Sequence, residues 1–341
     1  MLEFEILTPA AAARWDAFVA SHPAATVFHL AGWADVMKQA YGHKSHFTLA
    51  TEGGAVKGVI PLVELKSRIF GHALISNAFC VGGGPLAVDE PARLALIDEA
   101  GRIGRATGAS YVELRDAQGA EGWQTKDDLY AGFEREMDVD EAKNLLQIPR
   151  KQRAVVRKAI EGPFRVTTDK DVDTFFALFA RTVRDHGTPV FPKRYFRAIL
   201  DTFPDNADVL TVWQDDKPLS SVLSYYFRDR VYPYYTGSDP AARTAGTNDL
   251  MYWKLMRHAV ARGYKVFDFG RSKIGTGPFS FKKNWGFEPR PIAHQYLLLK
   301  RDTLPNVNPT NPRYAKLIEV WRRLPIPVAN FVSQFISRSL G

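Results

Sequence analysis

The sequence predicts a mixed α/β protein (an α+β mixed sheet) built as two tandem copies of one unit, followed by a short helical tail. Three observations predict it. The chain has 341 residues, more than one core comfortably holds, which suggests two domains of roughly 150 residues each. The order of helix-like and strand-like segments in the first half recurs in the second, the signature of a duplicated supersecondary unit. Past Lys300 the composition shifts to Asn and Pro from Pro305 to Pro312 before a final amphipathic stretch, which reads as a linker and tail.

In the first half, the 3.6-residue apolar period predicts a helix around Ala10 to Ala20 and another near Leu30 to Ala40, separated by the loop Ser21 to Phe28. Strand-like runs follow at Phe47 to Thr51, Val56 to Glu64 and Ala73 to Ser76. Pro91 to Thr107 then reads as a long helix and Tyr111 to Leu114 as a strand. The second half repeats the pattern with helices at Val172 to Arg184 and Lys193 to Thr202, flanking the loop His186 to Pro192. Its strands are Val209 to Gln214, Pro218 to Phe227 and Val231 to Gly237; Asn248 to Arg262 is its long helix and Val266 to Phe269 its next strand. Ile292 to Leu299 reads as a last strand.

Composition bounds the partners. Forty-five Lys and Arg against 37 Asp and Glu give a net charge of +8, which favours anionic partners such as RNA, nucleotide-linked sugars, acidic glycan or an anionic membrane surface. No feature points to DNA. The single cysteine, Cys80, excludes an internal disulfide and a cysteine-based metal site, and its apolar neighbours suggest a buried thiol. His43 and His46 lack an accompanying carboxylate pair at ligand spacing, so no metal site is expected. Without a basic segment leading into an apolar run, and without an apolar stretch of about 20 residues, a cytoplasmic location is the expectation.

The stretch from Asp268 to Phe287 carries most of the chemistry: a strand end, a Gly-rich turn, and a short helix with the pair Lys282-Lys283. In Gcn5-related acetyltransferases (GNAT enzymes) the corresponding helix carries a Tyr five residues before a closing Gly-Phe; here that position is Lys282. A Gly-rich turn followed by Phe281-Lys282-Lys283 resembles the FemAB-like peptidyltransferases, which carry two tandem acetyltransferase-like domains and join an amino acid to an amine of a cell-wall precursor, usually from aminoacyl-tRNA. The motifs Asp268 to Phe287, Ile148 to Ala159 and Leu324-Pro325-Ile326-Pro327 are most similar to the FemAB-related proteins associated with exosortase and PEP-CTERM exopolysaccharide systems. The resemblance implies a division into an acceptor-binding GNAT-like domain over residues 1–145, a basic interdomain helix over 146–165, a catalytic GNAT-like domain over 166–301 and a linker and tail over 302–341.

The resemblance also implies roles for single residues. Lys282, after the motif residue Phe281, stabilises the oxyanion, and a donor fixed near that oxygen is a strong catalytic device. Arg271, at a strand end where open α/β sheets carry ligands, either holds a carboxylate or phosphate or pairs with Asp268. Ser272 and Thr276 are donors on the same turn. Trp33 and Lys38 match loosely a Trp and a Lys that border the acceptor in the family; Trp33 equally suits packing. The helix Ile148 to Glu161 carries Arg150, Lys151, Arg153, Arg157 and Lys158: either a solvated face, or phosphate contacts through Arg150, Arg153 and Arg157. His186 is a weak base candidate, and Tyr235 faces either cleft or core.

The run Arg243-Thr244-Ala245-Gly246-Thr247-Asn248 is a degenerate version of the pyrophosphate loop of GNAT enzymes, with Asn248 in place of the last Gly or Ala. The expectation is an N-acyltransferase with no required cofactor, using aminoacyl-tRNA or acyl-coenzyme A as donor and an amine of an anionic sugar or nucleotide-linked acceptor. A non-catalytic scaffold of polysaccharide assembly is the third reading. The tail, with Ile318, Val320, Trp321, Val328, Phe331, Val332, Phe335 and Ile336 beside Arg322, Arg323 and Arg338, either packs on the body or touches the inner membrane from the cytoplasmic side.

Overall fold

Strand pairing and helix caps define the architecture in a computed structural model that describes residues 1–67, 70–305 and 315–339. The expected linker, Pro305 to Pro312, lies outside the described residues but for Pro305. Contacts divide the chain into two compact units, one of Met1–Leu129, Ile292–Asn311 and Phe335–Gly341, the other of Tyr130–Pro291 and Pro312–Gln334. This differs from a linear division at residue 145: the second unit begins at Tyr130, and the first takes Ile292–Asn311 and Phe335–Gly341 from late in the chain.

The first unit runs β1 (Glu3–Ile6), α1 (Ala12–Ser21), α2 (Trp33–Tyr41), β2 (Lys44–Glu52), β3 (Ala55–Ser67), β4 (Gly71–Ser76), β5 (Leu86–Ala87), α3 (Glu90–Thr107) and β6 (Tyr111–Arg115). Two strands straddle the unit boundary, β7 (Gln124–Glu136) and β13 (Pro289–Leu298). Within the first unit the sheet order is β1-β2-β3-β4-β6-β13, with the short β5 also on β3. The β4–β6 pair is parallel, in the register Ala73 to Tyr111, Leu74 to Val112 and Ile75 to Glu113. Helix α3 starts where expected because the Asp89 carboxylate accepts from Ala92 N–H at 2.8 Å and Pro91 fits the first turn. It buries Leu96, Ile97, Ala100 and Ile103 on Ile60, Leu62, Leu74 and Val112.

The second unit continues with α4 (Glu141–Gln147), α5 (Arg150–Ile160), β8 (Phe164–Asp169), α6 (Val172–Asp185), α7 (Lys193–Thr202), β9 (Ala207–Gln214), β10 (Lys217–Phe227), β11 (Arg230–Ser238), α8 (Ala241–Ala245), α9 (Thr247–Ala261), β12 (Val266–Lys273) and α10 (Gly277–Asn284), then after β13 by α11 (Ala315–Arg323) and α12 (Ile326–Ile336). Its sheet order is β7-β12-β11-β10-β9-β8, antiparallel except for β11–β12. Strands β7 and β8 and helix α4 were not anticipated. Their polar, weakly alternating sequences carry no strong period, and they form because neighbouring strands and helices supply partners.

On one face of this sheet Trp253, Leu250 and Met256 of α9 and Val156 of α5 pack with Phe133, Phe267 and Phe269. On the other, α6 lies so close to β11 that a Cβ on Gly237 would overlap the Phe179 backbone nitrogen and sit 2.5 Å from the Leu178 carbonyl carbon. Backbone cannot yield as a side-chain tip can. Gly237→Ala is therefore expected to destabilise the protein by about 3 kcal/mol, read as a lowered denaturation midpoint in urea; an unchanged midpoint would show that α6 does not rest on β11 this closely.

Candidate active site

The functional geometry in the second unit starts from a fork. Strands β11 and β12 run parallel and are paired only at their starts, Arg230 to Val266 and Val231 to Phe267. Beyond that the two separate toward their carboxyl ends, where ligands bind in open α/β sheets. On its other side β12 slips register against β7 between Asp268 and Arg271, so the strand bulges at Phe269-Gly270, with Gly270 at φ +66°.

Lys282 occupies that bulge from α10. Its Nζ donates to the carbonyl oxygens of Phe269 at 2.5 Å, Arg271 at 3.0 Å and Gly270 at 3.3 Å, and lies 5.5 and 5.6 Å from the ring centres of Phe133 and Phe269. The three donors of an ammonium are thereby engaged. Burial pushes its pKa down to about 7; the Asp268 charge opposes the fall and Arg271 adds to it. For Asp268 burial works in the other direction and raises the carboxyl to about 6, against the hydrogen bond it accepts from Gly270 N–H at 2.8 Å. An acid and a base whose pKa values approach each other from opposite sides thus share one strand end. The sequence marked Asp268 only as a partner for Arg271; its shifted pKa comes from burial, which no local motif announces.

The other residues on this turn have distinct settings. Arg271 stacks its guanidinium 4.3 Å from the Tyr130 ring centre. Thr276 closes the turn, its hydroxyl donating to the Lys273 carbonyl at 2.7 Å. The Ser272 hydroxyl is buried without a hydrogen-bond partner. Phe281 is a packing aromatic, half-buried against Tyr252, Phe269 and Trp285, and Lys283 points to solvent. The closing Gly286-Phe287 has a steric basis: Gly286 has φ +81°, and a Cβ there would lie 2.8 Å from the Gln147 carbonyl oxygen.

The long-helix entrance is covered. A Cβ built on Gly246 would lie 3.4 Å from Ala159 and 3.5 Å from Val155, so α5 lies over the α8–α9 junction. Asp249, in the first turn of α9, accepts from Gln152 of α5 at 2.5 Å and Trp285 at 2.8 Å. Asn248 accepts from the Ser220 hydroxyl at 2.9 Å. Arg243 is exposed on α8. The pyrophosphate-loop residues are thus together in space, with helix α5 packed against the start of the long helix. The outer side of α5 carries Arg150, Arg153 and Arg157 within one stripe, by the 100° helical step; Arg150 and Arg157 are exposed and Arg153 is half-buried, with a 3.5 Å contact to the Leu146 carbonyl.

Three of the sequence candidates have settings of their own. Tyr235 is buried among Phe179, Phe191 and Phe196, its hydroxyl 3.0 Å from that of Tyr195, so it packs under α6 and α7 and does not line the fork. The loop from His186 lies beneath the tail: a Cβ on Gly187 would overlap Ile318, and Val190 N–H donates to the Ser333 hydroxyl at 3.0 Å. In the first unit Trp33 is fully buried, its indole donating to the Val27 carbonyl at 2.9 Å; it is a core residue, while Lys38 is exposed on α2.

The first unit has no comparable fork. Past the β4–β6 ladder, Arg115 N–H donates to the Ser76 hydroxyl at 2.8 Å, and its guanidinium bonds Glu113 at 2.8 Å and the Cys80 carbonyl at 2.7 Å. Burial opposes the charge on Glu113, but Arg115 and His294 bring its carboxyl down to about 2. Buried Cys80 is part of this closed end. Among the described residues no cluster of His, Cys, Asp and Glu has the makings of a metal site.

Comparison with known proteins agrees with this architecture. Residues 143–283 match the acetyltransferase (GNAT) domain family. FemX is similar in structure, with a TM-score of 0.70 at 19% identity over 93% of this chain and 100% of FemX. So are a tandem GNAT protein from the clavulanic acid biosynthesis pathway (TM-score 0.55, 13% identity, 87% and 98% covered) and L-PGS from Bacillus licheniformis (TM-score 0.54, 15% identity, 93% and 97% covered). Comparison with curated proteins finds no match. The chain therefore carries a GNAT-type acyltransferase domain in its second half within a fold shared with tandem GNAT proteins.

Lys282 makes stability depend on pH in a calculable direction. Its folded pKa of about 7 lies below the ordinary lysine value of 10.5, so between those values the unfolded chain binds more protons and stability rises with pH, the penalty being fully present below pH 7. Relative to Lys282→Met, the wild type is expected to gain up to about 1.4 kcal/mol per pH unit across that window, measured by urea unfolding at several pH values. A constant difference between the two proteins would contradict the buried ammonium.

Proposed function

We propose that the protein is an N-acyltransferase of FemAB-like type, which moves an aminoacyl or other acyl group onto an amine of an anionic envelope or exopolysaccharide precursor. The observation that carries this reading is the fork in the second unit with Asp268 and Lys282 at its base. The acceptor nitrogen attacks the ester carbonyl of an aminoacyl-tRNA; the C–N bond forms and charge moves to the carbonyl oxygen. As that charge returns, the C–O bond to the ribose breaks, and the amine's proton passes through the Asp268 carboxylate to the departing ribose oxygen. Lys282 holds the bulge in shape and supplies positive charge beside the developing oxyanion; direct donation requires it to release one carbonyl, of which Gly270 is the most distant. Arg271 lies at the same strand end to take an acidic group of the substrate, with Ser272 a further donor.

The arginine stripe of α5, Arg150, Arg153 and Arg157, suits phosphate groups of donor or acceptor. An acyl-coenzyme A donor is the second reading and is supported by the GNAT family match. The aminoacyl donor is preferred because Lys282 stands where GNAT enzymes carry a Tyr and Asn248 where their loop carries Gly or Ala; α5 packs beside Gly246. The FemAB-related resemblance, and with it exopolysaccharide synthesis beside an exosortase system in the cytoplasm, names the setting this proposal adopts.

The reaction is expected to need Asp268 ionised and Lys282 protonated. Activity then rises with pH through about 6 and falls through about 7, giving a narrow bell in kcat/KM. A rate still flat at pH 9 would remove the Lys282 charge from the mechanism. At fixed low salt, selective binding of aminoacyl-tRNA over uncharged tRNA, and a loss of transfer of about 100-fold in Lys282→Met, are expected. Saturable acyl-coenzyme A binding with turnover would move the assignment to the second reading, and failure to bind either donor would leave a scaffold.

A further inference from the structure

The tail presents an inverted helix. Along α12 the small residues are the buried ones: Ala329 and Ser333 are each 1% exposed, and Ser337, one further step of four, is fully buried. The large apolar residues face outward, with Val328 at 45%, Phe331 at 62% and Phe335 at 66% exposed, spaced as one helical stripe. Helix α11, joined to α12 through Leu324 and Pro325, exposes Leu317 at 66% and Val320 at 60%, three residues apart. A helix on a soluble protein ordinarily does the opposite. The outward stripe is not the result of a loose segment, because the inner side is anchored: Arg184 donates to the Leu324 carbonyl at 3.0 Å, and Ser333 accepts from Val190 N–H at 3.0 Å.

Charge selects what covers this stripe. Residues 315–339 carry Lys316, Arg322, Arg323 and Arg338 against one acid, Glu319, and Glu319 pairs with Arg323 at 2.6 Å. Large apolar side chains flanked by arginines whose stems can extend toward phosphate are the makings of an interfacial helix. No helix among the described residues is long and apolar enough to cross a membrane, so lying in the interface is the mode these two helices can adopt. A second copy of the chain is a poorer fit: stable interfaces draw on roughly 20–30 residues a side, and the stripe offers five large apolar groups.

We propose that α11 and α12 form a docking surface for an anionic phospholipid bilayer, with Val328, Phe331 and Phe335 entering the boundary of headgroups and acyl chains and Arg323 and Arg338 meeting lipid phosphates. The surface is independent of the transfer reaction, so either assignment can fail alone. The test is co-sedimentation of the full chain with phosphatidylcholine vesicles, with and without phosphatidylglycerol. Binding to the anionic vesicles is expected to be at least about tenfold stronger, to weaken with salt, and to be lost in Phe331→Ser, Phe335→Ser at an unchanged thermal midpoint; Arg323→Gln, Arg338→Gln should reduce the preference for anionic lipid. Absence of vesicle binding would overturn the proposal. So would equal binding to both vesicle types, or a lipid-free dimer abolished by the Phe331→Ser, Phe335→Ser double substitution.

Discussion

The second unit is organised around one buried ammonium. Lys282 places its charge on three consecutive carbonyls at the bulge of β12, those of Phe269, Gly270 and Arg271. Unsatisfied carbonyls in a buried strand are costly, so the bulge and the lysine stabilise each other. Because β12 bulges there, its pairing with β7 shifts, and it parts from β11 after two residue pairs. The fork, the raised Asp268 carboxyl and the stacking of Arg271 on Tyr130 all sit at this distortion.

A second joint holds the lysine's helix in place. The Asp249 carboxylate collects Gln152 from α5 and Trp285 from just beyond α10, which ties the basic helix, the long helix and the lysine helix together. Arg135 reinforces it from β7, donating to the Trp285 carbonyl at 3.2 Å and resting 4.3 Å from the Phe287 ring centre. Burial pushes the Asp249 carboxyl up despite these partners, a sign of how little water reaches the joint. The same packing that fixes Lys282 brings α5 against Gly246.

The contrast with the first unit shows how a duplicated sequence order acquires two characters. Both units place a parallel strand pair beside a long helix, but in the first the end of the pair is filled by Glu113, Arg115 and His294 in mutual contact. Charges that satisfy one another present no demand for a ligand. At the corresponding place in the second unit Lys282 and Asp268 lie among carbonyls and aromatic rings, and burial shifts both groups against the pull of their charged neighbours, Asp268 for Lys282 and Arg230 and Arg290 for Asp268.

Much of this was legible in the sequence, for physical reasons that are local. Helix α3 was legible as the run from Pro91 to Thr107, the long strands from their alternation and β-branched content, and the duplicated order from counting elements. The motif from Asp268 to Phe287 singled out the turn and the lysine that meet at the β12 bulge, and Gly286 has the steric reason that a glycine there suggests. What the sequence left open depends on contacts between residues far apart in the chain. Tyr235 and Trp33 read equally well as core or cleft until the aromatic cluster and the Val27 carbonyl claimed them. The Gly246 loop read as a degenerate pyrophosphate loop, and only the packed chain sets Val155 and Ala159 of α5 beside it. Asp268 carries a pKa near 6, and the tail turns Phe331 and Phe335 outward, only because burial is a property of the packed chain: period and propensity say which faces are apolar, while the tertiary structure decides which of them lose water.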